Sequence, residues 1–301
     1  MRKLLLITTL LLTVFNLYAE KVNFKKSPLT LGSNDKLAIV LVHFGSTNSN
    51  AKATYNAINN MVTKEFKNAD LFEAYTSRIV IGLLDKKGIN KQTPLELFNE
   101  LAQKGYTHMV VQSTHIIDGV EMESLREDVR AAKDKFKEIR VGNPLLYNAN
   151  DFKRVSKAMV SKVKSNSDAV VLVGHGTYTP ITSTYAMMDY ILKYDGYNNW
   201  YVTTIEGYPT IDETLNLLAK GKYKSVTLAP FMYIAGVHAK EDISGDWKEA
   251  LEENGYKVEL FLEGLGDNIE VQKLIIEHIK FAFENRHLNI MEKKREYAST
   301  K

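Results

Sequence analysis

The chain contains no cysteine in 301 residues. That excludes disulfide staples, Cys-ligated zinc, iron–sulfur clusters, a thiol nucleophile and a lipid-modified N-terminal Cys. Any metal must be held by imidazole, carboxylate or carbonyl oxygen, and only seven histidines are available. An excess of one charge sign is also missing. Lys+Arg 39 against Asp+Glu 36 leaves +3, too balanced for a polyanion binder, so no nucleic-acid partner is expected. The Gly-x-Gly-x-x-Gly dinucleotide fingerprint, the Gly-x₄-Gly-Lys phosphate loop and the Gly-x-Ser-x-Gly nucleophile elbow do not occur. Beyond the N-terminus, no apolar run approaches the length of a membrane span.

What is present begins with a processing pattern. Arg2 and Lys3 form a basic n-region, and an apolar stretch runs from Leu4 to Leu17, broken only by Thr8, Thr9, Thr13 and Asn16. Ala19 offers a small residue at a cleavage point, and charge begins at Glu20. Residues 1–19 read as a signal peptide, too short for a comfortable span; a retained anchor is the alternative, because Leu17 is an imperfect −3 residue. Cleavage removes Arg2 and Lys3 and leaves +1. The mature protein is expected to be exported and soluble, and periplasmic where the cell has an outer membrane.

The 45% hydrophobic content is that of a packed globular protein. Residues 20–35 form a polar leader. Leu37–Val42 is a continuous apolar run ending in His43-Phe-Gly45, a buried parallel strand entering a Gly turn. A helix follows to about residue 67, then a strand at Asp70–Tyr75. A helix opened by Thr93-Pro94 closes at Gly105, and Met109–Gln112 is the next strand. The second half repeats this order, with strands at Ala169–Val173, Trp200–Ile205 and Ser225–Leu228 and a helix at Ile211–Lys220. Such alternation defines an α/β protein with mainly parallel sheets.

The halves also match in residues. Leu41-Val-His-Phe-Gly45 overlays Leu172-Val-Gly-His-Gly176, Glu73-Ala-Tyr75 overlays Glu206-Gly-Tyr208, and Ile117-Asp-Gly-Val-Glu121 overlays Ile234-Ala-Gly-Val-His238. The first half carries an insertion of about 16 residues, roughly Ser77 to Gln92. These matches predict two related domains, 36–160 and 161–267, followed by a C-terminal helix at 268–286 and a frayed basic tail at 287–301. Each matched segment follows a strand, and ligands of open α/β sheets bind at strand carboxyl ends. All three matched pairs are therefore expected to line one cleft between the domains.

His175, set between two glycines after a strand, is the leading candidate for chemistry, because the glycines permit a tight turn and leave the imidazole projecting. His238 follows another strand and has Glu121 as its counterpart; Glu206 should project into the same cleft. Two imidazoles with one or two carboxylates suit a borderline divalent ion such as Co²⁺, Fe²⁺, Ni²⁺ or Zn²⁺. No close ligand pair is present, so the ligands must converge through the fold. His115 is placed at the cleft edge. The register sets Phe44, not His43, opposite His175, and His108, His278 and His287 read as structural or solvated.

Val110-Val-Gln-Ser-Thr-His-Ile-Ile117 with Gly119 and Glu121, the Val173-Gly-His-Gly176 turn, Glu206-Gly-Tyr-Pro209, and Phe231-Met-Tyr-Ile-Ala-Gly-Val-His-Ala239 with Asp242 resemble the single-subunit, anaerobic-type sirohydrochlorin cobaltochelatases, the CbiK family. Leu71–Ser77, Gly88–Pro94 and Gly264-Leu-Gly266 fit the same family, and the resemblance covers roughly residues 36–285. It implies the class II chelatase fold, two duplicated Rossmann-like halves with parallel sheets facing across a central tetrapyrrole cleft. By the same resemblance His175, Glu206 and His238 hold the metal, and Glu121 assists catalysis with His175 and His238. The implied reaction inserts Co²⁺ into sirohydrochlorin and releases two protons. No cofactor is permanently bound, the metal being a substrate, with Fe²⁺ or Ni²⁺ as alternatives. The carboxylates of the macrocycle favour cationic neighbours, for which Arg78, Arg126 and Lys240 are candidates by position. Three features depart from the family pattern: the signal peptide, His43 in place of a small or hydroxyl residue, and Gly207 and Val237 beside key positions. A metal or tetrapyrrole carrier without turnover, and a sugar- or amino-acid-binding module of two lobes, are the competing readings. Homo-oligomerisation is left open.

Overall fold

In the computed structural model the described residues are 25–236, 241–286 and 290–299. The expected signal peptide, the start of the leader, His238 and Lys240 lie outside them.

After a two-residue strand β1 (Lys25–Lys26), the first half runs β2 (Leu37–His43), α1 (Ala51–Glu65), β3 (Asp70–Tyr75), α2 (Arg78–Asp85), α3 (Pro94–Gln103), β4 (His108–Ser113), α4 (Val120–Ala132), β5 (Glu138–Val141) and α5 (Ala149–Lys162). The second runs β6 (Ala169–Gly176), α6 (Ser183–Tyr194), β7 (Trp200–Glu206), α7 (Ile211–Gly221), β8 (Ser225–Pro230), a π-helical segment Asp242–Trp247 continuing into α8 (Lys248–Glu253), β9 (Lys257–Leu260) and α9 (Ile269–Glu284). Each half forms a four-stranded parallel sheet, in the orders β3-β2-β4-β5 and β7-β6-β8-β9. The two orders are the same, so the duplication legible in the residues is a duplication of topology.

The apolar strand runs are explained by burial on both faces. Leu37, Ile39 and Leu41 face one cluster, while Ala38, Val40 and Val42 face another. In the second sheet Val170 and Leu172 join the cluster of Leu37, whereas Ala169, Val171 and Val173 face away. One continuous core therefore lies between the sheets, filled by side chains of α1, α5, α6 and α9. The terminal helix of the second half packs on the first: α9 contacts α1, β4 and β5, Arg140 Nη1 donates to Ala282 O at 3.0 Å, and Phe66 stacks on Phe283. Reciprocally, α5 packs against α6 of the second half. The leader is tied to the same place, β1 pairing antiparallel with β10 (Asn285–Arg286).

The register corrects one sequence match. Gly176 pairs with Glu206, and its equivalent Gly45 lies two residues past the His43↔Tyr75 pair, opposite Ser77. Glu73 instead pairs with Leu41, inside the strand, and does not line the cleft. Matching the letters Glu-x-Tyr slid the two strands by four residues. The inserted segment is helix α2 with its following loop, where the second half passes directly from Glu206 to Thr210. Thr93 and Thr210 then cap α3 and α7 with the same Thr-x-x-Glu capping box, completed by Glu96 and Glu213. The tail differs from expectation as well: Ile290–Ser299 forms helix α10, because Met291, Glu292, the Lys/Arg run and Ala298 favour helix.

Candidate active site

The carboxyl ends of β2, β4, β6, β7 and β8 open on a cleft of about 660 Å³. Gly176 has φ +89, and a Cβ there would lie 1.5 Å from the Glu206 carbonyl oxygen. On the other side of His175, Gly174 lies against the Tyr185 ring, and the Tyr185 hydroxyl accepts the Gly176 N–H at 3.1 Å. Both glycines are thus demanded by close packing, which fixes the turn and leaves His175 exposed in the cleft wall. Phe44, its counterpart, lines the opposite side, as the register predicted.

Glu206 ends β7 on the strand adjoining His175 and is exposed to the cleft. Glu121 lies in the first turn of α4, behind the cap residue Gly119, and lines the cleft from the first half. It stands eight residues past Ser113, and position 238 stands eight past Pro230, the strand residues that pair with the equivalents Val42 and Val173. The third sequence match therefore keeps equal spacing along the chain from paired strand ends, and Gly236, the last described residue before His238, lines the cleft. Among the described residues no three His, Asp or Glu side chains form a complete metal site.

The expected cationic contacts are placed differently. Arg126 is engaged by Asp118 through a two-pronged ion pair, at 2.7 and 2.8 Å. Arg78 is exposed at the start of α2, outside the lining, with its charge acting on Glu96 and Asp128. His115 does line the cleft, but its ring nitrogens meet the hydroxyls of Ser113 at 2.6 Å and Thr76 at 3.3 Å. Burial, helped by the nearby His43, pushes His115 down to about 3, so it brings no cation to a carboxylate. Of the described lining residues none is Lys or Arg; the walls are apolar and hydroxylic.

Sequence reasoning missed that apolar wall. Ile79, Val80 and Leu83 of the inserted helix face the cleft, with Ile79 78% and Leu83 43% exposed. The signal was readable: Ile79-Val-Ile-Gly-Leu-Leu84 is too apolar for a short surface helix buried through Leu84 alone. The other omission is His43. It is fully buried, with Nδ1 2.9 Å from Thr114 Oγ1 and Nε2 3.4 Å from Glu73 Oε1, an ion-pair distance.

Burial pushes the Glu73 carboxyl up, but His43, Asn59 and Lys91 together pull it further down, to about 2. The folded value lies below the ordinary 4.5, so the associated stability is present above pH 4.5 and is lost as pH falls through about 2. Wild-type protein is therefore expected to lose urea resistance over that window more steeply than Glu73→Gln. Equal slopes in a urea–pH series would show that Glu73 stores no such stability.

The fold belongs to the chelatase class. SirB from Bacillus subtilis with Fe³⁺ superposes with a TM-score of 0.62 at 16% identity, over 82% of this chain and 95% of that one. The sirohydrochlorin chelatase SirB from Bacillus subtilis subspecies spizizenii in complex with cobalt gives 0.59 at 16%, over 83% and 96%. At such identities the likeness concerns fold alone. Sequence supplies the family: the family model "Cobalt chelatase (CbiK)" matches residues 37–284, and the chain belongs to that family. The sirohydrochlorin cobaltochelatase of Salmonella typhimurium is 29% identical over 252 residues, 81% of this chain and 95% of that protein. Sirohydrochlorin cobaltochelatase CbiKC of Nitratidesulfovibrio vulgaris is 31% identical over 257 residues, covering 82% and 90%.

Proposed function

We propose that this chain inserts Co²⁺ into sirohydrochlorin and releases two protons. The observation that carries the reading is the placement of His175 and Glu206 on adjoining strand ends, with Glu121 across the same apolar cleft, inside the segment that matches the family. His175, Glu206 and His238 hold the metal. Imidazole and carboxylate suit a carrier that must surrender its ion, because they bind it less tenaciously than thiolates would. As the ion enters, two pyrrole N–H bonds break and the nitrogen electron pairs bind metal, with Glu121 taking a proton. The apolar walls grip the macrocycle by its faces, and that binding energy is available to bend the ring toward the ion. Its carboxylates then sit at the rim, where Arg78 and Lys240 are the candidate partners.

The test is anaerobic absorption spectroscopy with limiting enzyme, excess sirohydrochlorin and Co²⁺. Several equivalents of metallated product per enzyme are expected. Saturation at one equivalent would make the protein a carrier. Competition with Fe²⁺ and Ni²⁺ in the same assay ranks the ions. Export is part of the proposal, supported by the N-terminal pattern; a mature N-terminus at Glu20 in the exported fraction is the expected result, and an intact Met1 would reverse it.

A further inference from the structure

Metal insertion must dispose of two protons within a cleft whose described walls are mainly apolar, and Glu121 accounts for one of them. A second acceptor lies behind the wall at the end of β4. Thr114 lines the cleft, and its hydroxyl is 2.9 Å from His43 Nδ1, nearer than the 3.4 Å to the Val42 carbonyl. The far nitrogen of His43 faces Glu73, and Glu73 in turn meets Lys91 at 3.5 Å on the half-exposed strand edge. Carboxylate, imidazole and hydroxyl thus stand in a row that ends on a cleft-lining residue. That is the arrangement by which an imidazole turns a weak hydroxyl into a proton acceptor.

We propose that Glu73, His43 and Thr114 form a proton-accepting relay that takes one of the two protons displaced by the metal. The inference rests on the chelatase reading above. At rest His43 carries its proton on Nε2 toward the Glu73 carboxylate, and Nδ1 accepts the Thr114 O–H. When a pyrrole N–H breaks, its electron pair stays on nitrogen for the metal. Its proton passes to the Thr114 oxygen, and the proton already there moves to Nδ1. The imidazolium so formed is held by Glu73, and it returns its proton by the same hydroxyl once product has left. Atoms and charge balance without any other reactant.

The surroundings fit this task. His43 lies against Tyr55 at 4.1 Å between ring centroids, with Tyr75 edge-on at 6.1 Å and Tyr233 at 6.5 Å, so an imidazolium would meet aromatic rings as well as Glu73. Burial lowers the affinity of the ring for a proton and Glu73 restores part of it, while Lys91 acts weakly against it. His115, the other imidazole on this wall, meets only hydroxyls, so no carboxylate offsets its burial as Glu73 does for His43. His43 is thereby the better base on this side.

The experiment compares wild type, Thr114→Val, Thr114→Ser and Glu73→Gln in the cobalt-insertion assay across pH. Thr114→Val should lower kcat about a hundredfold, the usual scale for general-base loss, with KM for both substrates within about twofold. Thr114→Ser should restore it. In Glu73→Gln, loss of the carboxylate lowers the proton affinity of His43, so the acid limb of the kcat profile should move to lower pH. A wild type that turns over beside variants with unchanged kcat and unchanged acid limbs would overturn the relay alone. Failure of Thr114→Ser to recover activity would reduce Thr114 to packing and would likewise overturn the relay. A wild type without turnover would overturn the chelatase reading and the relay with it.

Discussion

His175→Ala is expected to abolish cobalt insertion, by at least about a hundredfold in kcat, while the protein still folds and still binds the tetrapyrrole. The separation follows from where the side chain sits. His175 is exposed in the cleft wall, and the three apolar clusters of the core are built from other side chains, so truncation leaves the core packing in place. The apolar lining, by contrast, is made by Ile79, Val80, Val120 and Ile234 and by the tyrosines of the walls, and the substitution alters none of them. An absorbance titration with metal-free sirohydrochlorin should give a Kd within a few-fold of wild type, in a protein of unchanged urea midpoint. Turnover that survives the substitution would remove His175 from the metal site and shift the assignment to Glu206 and His238.

The largest effect on stability is expected from Gly176→Ala. The added methyl would lie 1.5 Å from the Glu206 carbonyl oxygen, a backbone atom held by the β6–β7 ladder, and the residue would also have to keep φ +89. Left-handed strain and overpacking each cost about 1–3 kcal/mol, so a loss of about 3 kcal/mol or more is expected. Gly88→Ala is the matched control. Its φ is +74 but nothing lies within 4 Å of the added carbon, which leaves strain alone. Urea unfolding should place Gly176→Ala well below Gly88→Ala, and insertion activity should fall with it, because β6 and β7 carry His175 and Glu206. Equal midpoints would mean that the strand end yields cheaply.

Much of this site was legible in the sequence because strand ends are marked twice, by an apolar run and by the glycines after it. That signal located His175, Phe44 and Gly176, and equal spacing past β4 and β8 located Glu121. It failed at Glu73, since a three-letter match carries no register and only the β2–β3 ladder shows that Ser77 is the counterpart of Glu206. It could not show the partner of Arg126, because position along the chain does not reveal one: Arg126 is adjacent to the cleft in sequence and is engaged by Asp118. His43 was passed over for a related reason. A histidine inside a buried strand looks structural until its two nitrogens are found facing a carboxylate and a cleft hydroxyl.

The reciprocal packing of α5 and α9 has a mechanical consequence. Two α/β lobes joined only by linkers could open and shut like a clamshell around a ligand. Here each lobe keeps the other's last helix in its own interior, and one uninterrupted core spans both. Prising the jaws apart would expose that core to water, at a cost comparable to unfolding. The gap between the lobes is accordingly expected to keep a near-constant width, so that a flat ring entering it would have to supply any shape change itself.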